Sequence, residues 1–375
     1  MTGADVLAAH NWDLLRGRRV GLITNQTGIM RNGTPTRVAM QRAGVNLVAL
    51  FAPEHGIFGT EVAGQHVSSR RDPMTGLICF SLYDEHREPS AEMLGPVDVM
   101  VFDIQDIGSR SYTYISTMIR SMEACGKYGK DFVVLDRPNP LGGYRIQGPP
   151  LEPRWKSFVG QIPVPYCHGM TAGELAQMAE REGWLASPRP RSLRVVPMNG
   201  WSRGMVWQDT GMPWNRTSPN IPNAMSPFFY AATGILGGAS NCDVGISAHV
   251  PFSRAGAAGV NGEAFASMMR SEFPGVGFTP YQFRNFGGVE LGINPRSNVD
   301  LVALDVALTC ELNRVTHGAV GRIHGNELDL FNKVYGSASL FEDLQRGRDW
   351  RSIVGSWQGY NQSFAGRRQR YLLYR

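Results

Sequence analysis

Four runs, "RRVGLIT" (18–24), "VNLVALFA" (45–52), "PVDVMVFDI" (96–104) and "DFVVLD" (131–136), are apolar without polar alternation. A strand with one face in water alternates, so such runs predict strands buried on both faces, as in a parallel sheet covered by helices. Helical signals fall between them. "TPTRVAMQRAG" (34–44) has Thr34 as N-cap, Pro35 at the first helical position and Gly44 as stop. "SYTYISTMIRSMEACGKYG" (111–129) has a helical apolar period, and in "TAGELAQMAEREGWL" (171–185) Thr171 and Glu174 stand at capping-box spacing. "LRVVPM" (193–198) reads as a further strand. This alternation predicts a doubly wound α/β fold with a mostly parallel sheet.

The texture changes near residue 200. "WSRGMVWQDTGMPWNRTSPNIPNAMSP" is rich in Trp, Pro, Asn and Ser, and Gly-rich stretches follow at 234–262, with a helix expected at about 261–272. A structureless stretch of that length marks a functional loop or a domain connection. At 375 residues the chain exceeds a typical single core. We therefore expect a larger domain over 1–225 and a smaller α+β domain over 226–375 that closes a cleft.

Several classes are disfavoured. The 37 basic residues, with Lys only at Lys127, Lys130, Lys156 and Lys333, are scattered, so no nucleic-acid partner is expected. The five cysteines are far apart, odd in number and without a C-x-x-C, which points to free thiols. No apolar run reaches the roughly 20 residues of a membrane span. The N-terminus lacks a signal-peptide core and leads straight into a strand. A cytoplasmic location is expected on that reading, and a periplasmic or secreted one if an export signal has been trimmed. His55, His66, His86, His168, His249, His317 and His324 form no H-x-H or H-E-x-x-H, so no metal is expected. No turn carries G-x-G-x-x-G or G-x-x-x-x-G-K-[ST], so no nucleotide cofactor is expected.

Polar side chains gather just beyond the ends of the runs. They are Asn25 in "TNQTG", Glu54 and His55 in "PEHG", Asp136, Arg137 and Asn139 in "DRPNPLGG", and His168 in "HGMT". "DIQDIGSRSYTY" adds Asp103, Gln105, Asp106, Arg110, Tyr112 and Tyr114. Ligands of open α/β sheets bind beyond the carboxyl ends of the strands, so these clusters are expected to converge on one pocket. Glu54, framed by Phe51, Ala52, Pro53, Ile57 and Phe58, has the apolar setting that raises a carboxyl's pKa and suits a general acid. Asp103, Asp106 or Asp136 can supply the second carboxylate of a glycosidase pair, although each also fits a helix cap or an ion pair with Arg110 or Arg137. Tyr112 and Tyr114, or Trp207 and Trp214 in the long loop, can stack on sugar faces.

"PEHGIFG", "DIQDIGSRSYTYISTM", "VLDRPNPLGG", "SFVGQIPVPYCHGMTAGELA" and "MPWNRTSPNIPN" resemble the exo-β-N-acetylmuramidase family NamZ, formerly a family of unknown function. The resemblance implies a Rossmann-like domain and a smaller C-terminal domain around a cleft. It implies release of N-acetylmuramic acid from the non-reducing ends of peptidoglycan fragments, in cell-wall turnover or recycling, without a cofactor. It places the key acid on Glu54. Through the last block it brings Trp214, Ser218 and Asn220 into the binding set. Beyond residue 230 the family block F-E-G-T-N-x-S-E-G-R-G-T-T-x-P-F corresponds to "LGGASNCDVGISAHVPF" (236–252). There Gly238 and Val244 stand in place of acids and Ile246 in place of an Arg. With that Arg gone, Arg110, Arg216 and Arg254 are the candidate cations toward a lactyl carboxylate, and if none of them faces the cleft the expectation shifts away from muramic acid toward another glycosyl substrate. The group that attacks the sugar stays open between water, a carboxylate and the substrate's own acetamido. So do two rival readings, a non-catalytic saccharide binder and a hydrolase of another glycosyl group.

Overall fold

The computed structural model describes residues 1–83, 87–186 and 188–375; His86 lies outside them. The first sheet contains β1 (Val20–Thr24), β2 (Leu47–Ala52), β3 (Arg70–Arg71), β4 (Ile78–Ser81), β5 (Val99–Asp103), β6 (Asp131–Leu135) and β7 (Leu193–Val196). Its order is β3-β4-β2-β1-β5-β6-β7, and all neighbours are parallel except the edge pair β3 and β4. Leaving β3 aside, this is the Rossmann order, with the chain reversing direction across the sheet at β1. The remaining strands, β8 (Cys242–Asp243), β9 (Arg254–Ala258), β10 (Gly277–Phe283) and β11 (Phe286–Gly292), form an antiparallel sheet in the order β10-β11-β9-β8.

Every residue of β1, β5 and β6 is buried, because successive side chains enter two different cores. Leu22, Val101 and Val133 meet the N-terminal helix on one face, while Ile23, Phe102 and Val134 face the other way. The second core runs without a break from the parallel sheet into the C-terminal part, through Phe228, Ala255, Val289 and the helix Leu301–Val315. Polar ties reinforce it. Arg145 donates to the carbonyls of Pro295, Ser297 and Val299, and Tyr374 donates to Asp136.

The capping box at Thr171 and Glu174 is present, and its helix spans Ala172–Arg181. Other local expectations needed correction. A helix, Gly3–Ala9, capped by Thr2 and Asp5, precedes β1 where a direct entry into the strand was expected. Gly3 lets it dock, since a Cβ there would lie 2.4 Å from the Asp136 nitrogen. The helix expected from Thr34 starts at Thr36. Strands β3 and β4 had been missed, because "RR" and "ICFS" carry no strand-length apolar run. All five cysteines are free. Among the described residues, no helix is long and apolar enough to cross a membrane.

Candidate active site

Strand β2 ends at Ala52, and residues 53–59 form a tight turn in which the Gly56 N–H bonds the Pro53 carbonyl at 3.0 Å. Glu54 sits at the mouth of this turn, buried but not sealed. The Gly64 N–H donates to its Oε1 at 2.9 Å, and the Thr113 hydroxyl donates to its Oε2 at 2.6 Å. The Tyr83 phenol stands beside Glu54, and burial, followed by the charge of Glu54, pushes it up to about 12. The Gly64 and Thr113 donors arrive from separate segments and fix the carboxyl's direction.

His55 has φ +70°, a left-handed conformation that costs a residue with a Cβ about 1–2 kcal/mol. Its Nδ1 lies 2.7 Å from the Glu61 carbonyl. A carbonyl can only accept, so Nδ1 carries the hydrogen and Nε2 of the neutral ring is the basic nitrogen. If the strained turn is held for the imidazole, His55→Gly will be more stable than His55→Ala by about 1 kcal/mol in urea titrations. Both variants will lose activity.

Glu54 and His55 line a cleft of about 280 Å³ between the two parts of the chain. That is near the lower end of ligand-pocket volumes and suits one sugar ring better than a chain. Ser111, Tyr112, Thr113, Ser218 and Asn220 supply its polar lining. Val159, Ile221, Phe252, Leu330 and Val334 make it apolar. Tyr230 closes one side, edge-on to Tyr112 at 6.0 Å, and its hydroxyl is 3.0 Å from Ser111 Oγ. Gly234 is required where the backbone passes under this wall, since a Cβ there would lie 2.6 Å from the Tyr166 hydroxyl. Asp305 accepts from the Ile235 and Leu236 N–H groups, fixing the glycine-rich turn, and burial pushes its carboxyl up to about 7.

Of the residues expected in the site, Glu54, His55, Tyr112, Ser218 and Asn220 meet in this cleft. The others do not, and the single convergent pocket is corrected accordingly. Arg110 is buried, and it donates to the carbonyls of Pro149, Val164 and Tyr335 instead of facing a ligand. Asp103 pairs with Arg137 at 2.7 Å, deep under the sheet edge. Asp136 accepts from Thr171, Gly173 and Tyr374, and it serves as a packing hub. Asn139 and Asn25 close local turns, onto the Leu141 N–H and the Thr27 N–H. His168 is buried, accepts from the Met170 N–H, and is driven down to about 3 by burial and the nearby Arg368. Gln105 bonds the carbonyls of Asp106 and Pro138. Tyr114 is fully buried and donates to the Thr217 carbonyl. Trp214 bonds the Ile221 carbonyl and meets Trp207 edge-on at 4.8 Å, so these indoles brace the long loop outside this cleft.

Asp106 stands behind the cleft wall. It accepts from the Gly108 N–H at 2.7 Å, burial pushes it up to about 7, and its field reaches Tyr112 and Tyr230. Gly238 and Ile246 face the cleft, while Val244 packs under Gly237. Neither Arg216 nor Arg254 lines it; Arg254 pairs with Glu290. The sequence reading overlooked Ser111, Thr113, Tyr83 and Tyr230. The first two lie inside the "SYTY" block and could have been found there, whereas Tyr230 sits in an apolar helix without a polar signature.

A carboxyl of fixed direction, a basic imidazole beside it and a mixed apolar wall can donate a proton to the leaving oxygen of a bound glycoside. Two family models match the chain. The N-terminal domain of exo-β-N-acetylmuramidase NamZ covers residues 20–225 and its C-terminal domain covers residues 228–374. The peptidoglycan β-N-acetylmuramidase NamZ of Bacillus subtilis (strain 168) is 36% identical over 384 residues, spanning 100% of this chain and 91% of the relative. Two crystal structures of DUF1343 family proteins from Bacteroides fragilis NCTC 9343 share the fold. One has a TM-score of 0.93 at 38% identity, covering 100% of this chain and 98% of the other. The second has 0.78 at 26% identity, covering 100% and 99%.

Proposed function

The chain belongs to the exo-β-N-acetylmuramidase NamZ family, and on that premise we propose that this glycosidase releases N-acetylmuramic acid from the non-reducing ends of peptidoglycan fragments. The observation that carries the reading is Glu54, a carboxyl aimed by Gly64 and Thr113 into a cleft the size of one sugar. In this reading Glu54 protonates the glycosidic oxygen as the bond to C1 breaks. Ser218, Asn220 and Ser111 bond the sugar hydroxyls, and Tyr112 with Tyr230 covers one face. Glu54 is the one carboxylate among the described lining residues. Among the described lining residues, the attack on C1 is therefore served by a water deprotonated by His55 Nε2 or by the acetamido oxygen of the sugar itself.

A second reading, a saccharide binder without turnover, draws on Gly238 and Ile246, which face the cleft where the family pattern has an acid and an Arg. One experiment separates the two. With a defined N-acetylmuramyl–N-acetylglucosamine disaccharide followed by NMR, both monosaccharides are expected, and the first anomer seen reports the stereochemistry. Saturable binding with no product would replace the enzyme by the binder.

A further inference from the structure

Muramic acid differs from other N-acetylated amino sugars by the lactyl carboxylate on O3, yet no Lys or Arg is among the described residues lining the cleft. A carboxylate brought into an apolar wall beside Glu54 without a cation is disfavoured. Resting on the muramidase reading above, we propose that Arg87, which packs on the Tyr83 ring, recognises the lactyl carboxylate and selects muramic acid over sugars that lack that charge.

Three observations carry this. The Arg87 guanidinium carbon lies 4.8 Å from the Tyr83 ring centre and 4.9 Å from that of Phe158, and the two rings are 5.6 Å apart. Both rings border the site without lining it: Tyr83 stands beside Glu54, and Phe158 is the chain neighbour of the lining residue Val159. Arg87 is thus one tyrosine ring away from the carboxyl that faces the glycosidic oxygen. On the sugar, C1 and C3 flank C2, so the lactyl arm ends about a ring-width from that oxygen.

Three of the other cations are engaged. Arg70 pairs with Glu61 and lies over Phe58, Arg110 is buried among carbonyls, and Arg254 pairs with Glu290. Arg87 is exposed and has no carboxylate partner among the described residues. A guanidinium resting on aromatic faces keeps its N–H edge free for two parallel bonds to a carboxylate, and its orientation is already restricted.

The test compares 4-nitrophenyl N-acetyl-β-muraminide with the same compound carrying a lactyl carboxamide. Wild type is expected to favour the free acid, and Arg87→Met to lower the free-acid to amide ratio of kcat/KM by roughly tenfold or more, mainly through KM. Arg87→Lys should recover part of it. Because both substrates report on one enzyme sample, partial unfolding does not move the ratio. An unchanged ratio in Arg87→Met, or a wild type indifferent to the charge, overturns the proposal. A wild type that cleaves neither compound overturns the glycosidase reading instead. Calorimetric binding of the two compounds to wild type and Arg87→Met then decides the role of Arg87 by the same ratio.

Discussion

Glu54→Gln is expected to lower kcat on a chromogenic N-acetylmuraminide by about 10³- to 10⁴-fold, the share of the barrier a positioned general acid removes. That corresponds to roughly 4–5.5 kcal/mol of lost transition-state stabilisation. The amide has the shape of the carboxyl and can still accept from the Gly64 N–H, and the Thr113 hydroxyl can turn from donor to acceptor. The fold should survive with a stability change of about 1 kcal/mol or less. KM should change little, so the loss appears in kcat and kcat/KM together. Activity within about tenfold of wild type would remove Glu54 from the acid's role. A variant that fails to fold would show the same loss of rate, so circular dichroism and the thermal midpoint are measured alongside.

Arg110→Met is expected to produce the largest stability loss. The guanidinium is buried and donates to the carbonyls of Pro149, Val164 and Tyr335, joining the first part of the chain to the last. Burial pulls it down to about 10, against the opposing pull of the nearby tyrosines and Cys167. Methionine fills much of the volume but leaves those carbonyls without a donor, at about 1–3 kcal/mol for each buried orphan. A total of about 3–5 kcal/mol is expected after relaxation, seen as a fall of roughly 5–10 °C in Tm. If Arg110 instead held substrate, the same change would raise KM and leave Tm within about 2 °C.

These two residues mark what was legible and what was not. Glu54 was readable because an apolar run, a proline and a charged pair stand together, and that combination belongs to a strand exit whatever packs nearby. The parallel sheet was readable for a related reason, since strands buried on both faces have no polar alternation to hide. Arg110 was unreadable because its partners lie at residues 149, 164 and 335, and only the folded chain brings them within reach. Asp136 and His168 show the same limit. Both stand at the correct edge of the sheet, but residue type cannot distinguish a carboxylate that bonds Tyr374 from one that bonds a sugar. The far wall of the cleft was invisible for the opposite reason. Gly234, Val159 and Leu330 carry no chemistry by themselves and matter only as shape.

The apolar core that runs unbroken beneath both sheets bears on how substrate enters. Two lobes joined by a thin neck can rock, and such enzymes capture their substrate by closing on it. Here both walls of the cleft are anchored in one packed interior, and Gly336, with φ +92°, gives the Arg110 guanidinium room at the seam, where a Cβ would lie 2.4 Å from it. Interiors of this density resist deformation. The mouth is therefore held at its width by the same packing that stabilises the fold.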